Sequence, residues 1–171
     1  VEAFRVLRHG IRFLRRDARV FICTSSTPGQ GKTFVSTNIA VALAMTGKRV
    51  LLVDGDIRRR TLSCKFRSTA GLTGILIEED DAPISLAENV VVDAIYKGVD
   101  LLPSGIQPPN PAELLMSERL EKFVEIARAS YDYIIFDATP AFAVADAEIL
   151  SRVSDLMLYI IRVGVQDRNF L

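Results

Sequence analysis

A glycine-rich segment, residues 26–33, has the composition of a phosphate-binding loop. It follows the apolar run at residues 20–23 and precedes residues 33–46, which contain neither proline nor glycine. This order predicts a strand, a loop and a helix, the context that such a loop requires. Gly29 and Gly31 would let backbone N–H groups turn toward phosphate oxygens at the positive end of the helix dipole. The predicted nucleotide-binding residues are Ser26, Thr27, Pro28, Gly29, Gln30, Gly31, Lys32, Thr33 and Phe34.

Two side chains of this loop have predicted chemical roles. The Lys32 ammonium group would reach the β- and γ-phosphates of a nucleotide, and the Thr33 hydroxyl would bind Mg²⁺. The first position of the usual loop pattern is glycine, whereas this chain has Ser26. A glycine-rich turn with an incidental Lys-Thr pair is the alternative interpretation. The agreement of strand, loop and helix signals favours the phosphate site.

Carboxylates follow two further apolar runs. Residues 50–53 are followed by Asp54 and Asp56, and residues 134–136 are followed by Asp137. Ligands of open α/β sheets bind beyond the carboxyl ends of the strands, so we expect all three carboxylates beside the loop. There they could share one Mg²⁺ environment. A polar strand end followed by a turn would explain a single Asp, but it explains two spaced Asp residues less well.

Composition limits the remaining possibilities. The 171 residues fit one α/β domain, and the formal net charge of zero gives no indication of a nucleic-acid partner. No apolar run approaches the roughly 20 residues needed to cross a bilayer. Cys23 and Cys64 have neither zinc nor redox-pair spacing, and His9 is the only histidine, so we expect no metal site built from several histidines. The chain begins with Val1, so we expect a fragment or a processed piece of a cytosolic protein.

Residues 1–19 are predicted to form one amphipathic helix. Apolar residues at helical spacing would face the core, and these are Phe4, Leu7, Ile11, Leu14 and Ala18. A second stripe is basic, and it contains Arg5, Arg8, Arg12, Arg15 and Arg19. The basic stripe is either a solvated face or a surface for an acidic partner or a membrane.

Further predicted elements are a helix start at 71–76, a strand at 99–102, a helix capped by Asn110 and a last strand at 155–163.

Several motifs together resemble the cytoplasmic domain of bacterial tyrosine kinases, or BY-kinases, of the capsular and exopolysaccharide export family. Residues 2–8 are similar to its Glu-x-x-Arg-x-x-Arg motif, and residues 26–33 to its Walker A loop. Residues 50–58 resemble its Walker A′ segment, residues 108–115 its Pro-Pro-Asn-Pro segment, and Asp137 its Walker B carboxylate. The resemblance covers nearly the whole chain. It implies one domain over residues 1–171, a P-loop NTPase of the MinD/ParA-like type with a mostly parallel central sheet flanked by helices.

The resemblance also implies a mechanism, in which ATP and Mg²⁺ serve tyrosine phosphorylation. The implied catalytic residues are Lys32, Asp54, Asp56 and Asp137. The implied metal ligands are Thr33, Asp56 and Asp137. Asp54 is our candidate to orient or deprotonate the tyrosine hydroxyl. The chain departs from the family in the residues after Asp137, and its scattered tyrosines do not replace the family's C-terminal tyrosine cluster.

The implied partners place the protein at the cytoplasmic face of the bacterial inner membrane. The first partner is the chain itself, in a ring of copies that contact each other through Glu2, Arg5 and Arg8. The second is a membrane-anchored polysaccharide co-polymerase segment or adaptor, and the third is an opposing tyrosine phosphatase.

Two alternative functions stay open. A MinD/ParA-like positioning ATPase would carry a signature lysine where this chain has Thr27. A nucleotide-sensing module that acts only by assembly would carry the same ligand-binding residues.

Overall fold

The computed structural model describes residues 2–66, 70–79 and 81–164. The strands are β1 (Val20–Ser25), β2 (Val50–Asp54), β3 (Val91–Tyr96), β4 (Val99–Leu102), β5 (Tyr133–Asp137) and β6 (Leu156–Ile160). The helices are α1 (Glu2–Leu14), α2 (Lys32–Ala44), α3 (Ser63–Phe66), α4 (Leu72–Ile77), α5 (Pro111–Leu115), α6 (Glu118–Ser130) and α7 (Asp146–Ser151). The single domain over residues 1–171 stays a prediction, because Val1 and residues 67–69, 80 and 165–171 lie outside the described parts of the chain.

The described strands form one six-stranded sheet in the order β3-β4-β2-β5-β1-β6. Neighbouring strands are parallel except for β3, which runs antiparallel to β4. The predicted α/β fold with a mostly parallel sheet is therefore confirmed. In the register of the central strands, Asp137 lies opposite Cys23 on one side and Asp54 on the other. The carboxyl ends of β1, β2 and β5 consequently meet at one edge of the sheet.

Helices cover both faces of the sheet. Side chains alternate along β1, so Val20 and Ile22 join the apolar layer under α4, α5, α6 and α7, whereas Phe21 and Cys23 join the layer under α1 and α2. Every residue of β1, β2 and β4 is buried. Burial on both faces explains why these strands are continuous apolar runs in the sequence. The central strands are therefore a rigid base for the groups at their ends.

The first helix is shorter than predicted. α1 ends at Leu14 rather than residue 19, and a turn at residues 16–17 leads back toward β1. The expected core stripe is only partly correct, because Ile11 is buried while Leu7 and Leu14 are 37% and 73% exposed. Helix α1 packs mainly against α2. One helix can cover only a narrow stripe of another, so the flanking apolar residues stay outside the core.

One strand was missed, and two smaller predictions need correction. Strand β3 was not predicted, because it is an edge strand that is interrupted at Asp93, where φ is 48°. The last strand is shorter than residues 155–163 and covers Leu156–Ile160. Asn110 does precede α5, but its side chain donates to the Glu113 carboxylate at 2.7 Å and makes no cap hydrogen bond to the backbone. The helix start is as predicted, and the expected cap is not formed.

Candidate active site

The loop between β1 and α2 is braced by its own side chains. Gly29 and Gly31 have φ of 81° and 95°, a region that favours glycine. The buried Gln30 amide donates to the hydroxyls of Ser26 at 3.1 Å and Thr27 at 2.8 Å. Its oxygen accepts a hydrogen bond of 3.2 Å from the backbone N–H of Arg162, just after β6. Hydrogen bonds within the predicted phosphate loop, and one from the segment after β6, therefore hold its conformation.

Thr33 and Asp137 meet at the carboxyl edge of the sheet. The Thr33 hydroxyl, in the first turn of α2, donates to Asp137 Oδ2 at 2.5 Å. Asp137 is buried, and its other oxygen, Oδ1, has no hydrogen-bond partner among the described residues. Burial, together with the smaller effect of the nearby Asp54 charge, raises the pKa of Asp137 to about 7, although Thr33, Lys32 and Ser36 oppose the shift. Among the residues that the structure describes, this carboxylate lacks a complete set of partners.

Asp54 lies beside Asp137 and is completely enclosed. Its Oδ2 accepts hydrogen bonds from the Ser63 N–H at 2.8 Å and the Ser63 hydroxyl at 2.6 Å. Its Oδ1 has no partner in the described structure, and burial raises its pKa despite the Ser63 hydrogen bonds. Asp54 has an exposed fraction of 0%, so direct contact with a tyrosine hydroxyl is not available in this conformation. The proton-accepting role of Asp54 stays a prediction.

Asp56 and Lys32 line a surface cleft of about 320 Å³. The other walls of the cleft come from the loop, the first turn of α2, and residues Arg59, Thr61 and Ala138. Burial lowers the pKa of Lys32, and the Arg59 charge acts in the same direction, whereas Asp137 and Asp56 oppose it. The cleft therefore combines an ammonium group, a hydroxyl and a carboxylate, which are the groups that bind a metal-nucleotide complex.

Two features of the site were missed by sequence reasoning. Ser63, which holds Asp54, is in α3 and also contacts the Ser104 hydroxyl at 2.9 Å. Arg58 makes hydrogen bonds of 2.7 and 3.0 Å to the carboxylate of the fully buried Asp146, at the start of α7. This bidentate pair joins the segment after β2 to a helix 88 residues later in the chain. No local sequence pattern indicates either partner, because both pairs form only in the tertiary structure.

The residues of the site fit a magnesium-nucleotide complex. No cluster of three or more His, Cys, Asp or Glu able to hold a metal occurs among the described residues. Mg²⁺ usually binds through one or two carboxylates together with substrate phosphates and water, so it needs no such cluster. The Thr33 hydroxyl, the half-satisfied Asp137 and the cleft-lining Asp56 provide ligands of this kind.

Comparison with known proteins identifies the family. A family model described as an AAA domain matches residues 19–167. The tyrosine-protein kinase YwqD of Bacillus subtilis is 39% identical over 172 residues, an alignment that covers 98% of this chain and 70% of the relative. The chain belongs to the bacterial tyrosine kinase family. The resemblance that the motifs indicated is confirmed.

Members of this family differ in how much of their length the chain matches. The tyrosine-protein kinase etk of Escherichia coli K12 is 35% identical over 170 residues, which is 96% of this chain but 23% of that protein. The solved kinase domain of Escherichia coli ETK superposes with a TM-score of 0.87 at 32% identity, covering 99% of this chain and 66% of the solved one.

Positioning ATPases share the fold at lower similarity. In the Aquifex aeolicus MinC:MinD complex, the matched chain has a TM-score of 0.64 at 28% identity, over 83% of this chain and 55% of its own. The predicted relation to MinD/ParA-like ATPases is confirmed at the level of fold, and the kinase interpretation is favoured over them. In the part of the chain that the structure describes, no helix is both long and apolar enough to cross a membrane.

Proposed function

We propose that this member of the bacterial tyrosine kinase family transfers the γ-phosphoryl group of ATP to a tyrosine hydroxyl in a Mg²⁺-dependent reaction. The observation that carries the proposal is the 2.5 Å hydrogen bond between Thr33 and Asp137, next to a cleft lined by Lys32 and Asp56. A loop hydroxyl and a strand-end carboxylate in contact are the protein ligands with which P-loop NTPases bind Mg²⁺.

The metal site would consist of Thr33, Asp56 and Asp137, completed by phosphate oxygens. When bound, Mg²⁺ supplies positive charge that offsets the negative charge on the phosphates during transfer. Asp137 must lose its proton to act as a ligand, and its raised pKa makes that step sensitive to pH near neutrality. Lys32 holds the phosphates as a point charge at the start of α2, where the helix dipole adds to its effect.

Asp54 is our candidate to accept the proton of the tyrosine hydroxyl. Its free Oδ1 and raised pKa suit a general base, because proton transfer is most effective when the pKa of the base lies nearer neutrality. Ser63 fixes the carboxylate through Oδ2 and leaves Oδ1 for the substrate. The acceptor tyrosine must displace the atoms that cover Asp54, so binding of the acceptor and exposure of the base would be coupled.

Assembly and partners belong to the same proposal. Arg5 forms an exposed 3.3 Å ion pair with Glu2 of its own helix, and Arg8 donates to the Ala42 carbonyl at 2.6 Å. Arg8 is therefore engaged by α2, and it would orient α1 while Glu2 and Arg5 contact a neighbouring copy. We propose a ring-like homo-oligomer at the cytoplasmic face of the membrane, activated by a polysaccharide co-polymerase segment or adaptor and reversed by a tyrosine phosphatase. The resemblance to the BY-kinase family implies each of these partners.

Substitution of Lys32 tests the proposal. Lys32→Met should abolish the transfer of labelled phosphate from ATP to a tyrosine acceptor while the circular dichroism spectrum stays unchanged. The matched control is Lys97→Met, which removes an exposed lysine between β3 and β4 and should leave transfer unaffected. Equal transfer by wild type and Lys32→Met would contradict the proposal. ATP binding without any transfer by the wild type would favour the nucleotide-sensing alternative.

A further inference from the structure

Three consecutive arginines follow Asp56 and its neighbour Ile57, and the structure distinguishes them. Arg58 is fully engaged by the buried Asp146. Arg60 has φ of 55° and directs its Nε to the Ser104 hydroxyl at 3.3 Å. Arg59 is exposed, lines the cleft, and makes no side-chain hydrogen bond or ion pair with any residue of 2–66, 70–79 or 81–164. Arg59 is therefore the member of this triplet whose guanidinium is available to a ligand.

The backbone of Arg59 is fixed although its side chain is free. Its N–H donates to Asp56 Oδ1 at 3.0 Å, and the next N–H, from Arg60, donates to the Asp56 carbonyl at 2.7 Å. These bonds tie the turn to the carboxylate that we place in the metal site. The base of the Arg59 side chain consequently has a defined position relative to Lys32 and Asp56, and only its end must be ordered when a ligand binds.

The lining of the cleft holds more cationic than anionic side chains. The cleft wall carries two cations, Lys32 and Arg59, and one carboxylate, Asp56. Asp54 and Asp137 are buried and do not line the cleft. Phosphate oxygens match a guanidinium particularly well, because two parallel N–H groups can donate to two oxygens at once.

We propose that Arg59 is a second phosphate-binding residue of the cleft and contacts the phosphoryl group that is transferred. The inference rests on the proposed kinase function. In that reaction the tyrosine oxygen forms a bond to the γ-phosphorus, the bond to the β–γ bridging oxygen breaks, and ADP leaves with the electron pair while the tyrosine proton passes to the base. Negative charge moves onto oxygens near the cleft cations during this step. Once ordered by the phosphate, the guanidinium would stabilise that charge more than it stabilises the ground state.

Arg59→Ala and Arg59→Lys test the inference in the full chain, with a synthetic Glu-Tyr copolymer as acceptor. Loss of one such electrostatic contact typically lowers kcat by about 100-fold or more. We expect Arg59→Ala to lower kcat by about 100-fold with a KM for ATP within about threefold of wild type, and Arg59→Lys to recover about tenfold. The control is Arg152→Ala, an exposed arginine after α7 that is not in the cleft.

The outcomes separate the inference from the function on which it rests. A kcat for Arg59→Ala within about twofold of wild type, with normal transfer by wild type, would overturn the role of Arg59 and leave the kinase function standing. An increase in KM alone would overturn the preferential stabilisation of the transition state by Arg59, because it would indicate binding that is uniform along the reaction. Absence of transfer by the wild-type chain would instead contradict the kinase function. Thermal unfolding of each variant shows whether a loss reflects unfolding.

Discussion

Replacement of Asp137 by Asn should stabilise the nucleotide-free protein at alkaline pH while it impairs the site. Asp137 is buried between Cys23 and Asp54 in the sheet register, and its Oδ1 has no partner among the described residues. A carboxylate in that position loses its hydration and faces a second carboxylate. Asparagine keeps the shape of the side chain and an oxygen for the Thr33 hydroxyl, but it carries no charge.

The magnitude follows from the raised pKa. An aspartate pKa of 3.8 in the unfolded chain and about 7 in the folded one means that the folded state binds the proton more tightly. Stability from this group is complete below the unfolded value and is lost as pH rises toward the folded value. Within this window, an increase of one pH unit lowers the free energy of unfolding by about 1.4 kcal/mol. About 3 kcal/mol is therefore lost between pH 5 and pH 8. The raised pKa of Asp54 acts in the same direction.

Urea unfolding of the nucleotide-free protein at pH 5 and pH 8 measures this effect. Wild type should lose about 3 kcal/mol more of its free energy of unfolding across this interval than Asp137→Asn does. Groups that titrate equally in both proteins contribute equally to the two pH dependences, so their effects cancel in the difference. Parallel stability curves for the two proteins would refute the reasoning, since they would show that Asp137 is already ionised at pH 5. In wild type, Mg²⁺-nucleotide affinity should also rise with pH through about 7.

Three further predictions concern the other parts of the site and the assembly. Asp56→Asn should lower phosphoryl transfer at least about tenfold, whereas Glu79→Gln, remote from the cleft, should leave the measured rate unchanged. Arg58→Met should lower the free energy of unfolding in urea by about 3 kcal/mol, because it leaves the Asp146 carboxylate buried without its partner, and an unchanged midpoint would contradict this. Arg5→Ala should reduce the mass of the oligomer in light scattering while ATP binding is retained. An unchanged mass would indicate that the basic stripe is only a solvated face.

Much of the fold was predictable because its signals are local. Buried parallel strands are continuous apolar runs, and Gly29 and Gly31 occupy positions where the loop requires positive φ. Asp54 and Asp137 could be placed at one edge because each ends an apolar run. The prediction failed where tertiary context decides. In β3 the apolar residues are interrupted by Asp93, and the length of α1 depends on how much of it α2 can cover.

The detailed site was less predictable than its location. The spacing of Asp54 and Asp56 at the end of β2 does not by itself indicate which of the two lies on the cleft wall. That difference arises because Ser63, nine residues beyond Asp54, folds back to enclose it. The arginine triplet is equally uninformative as a sequence. Only the position of Asp146, far along the chain, shows that Arg58 is structural and that its neighbour is available to a ligand.

Identification of the phosphorylated product tests the central claim most directly. Wild-type protein would be incubated with ATP, Mg²⁺ and a Glu-Tyr copolymer, and the acceptor analysed by mass spectrometry beside the Lys32→Met variant. We predict phosphotyrosine on the acceptor with wild type and none with the variant. Release of inorganic phosphate by wild type with no phosphotyrosine on the acceptor or on the protein would contradict the account, because it would make the chain an ATPase rather than a tyrosine kinase.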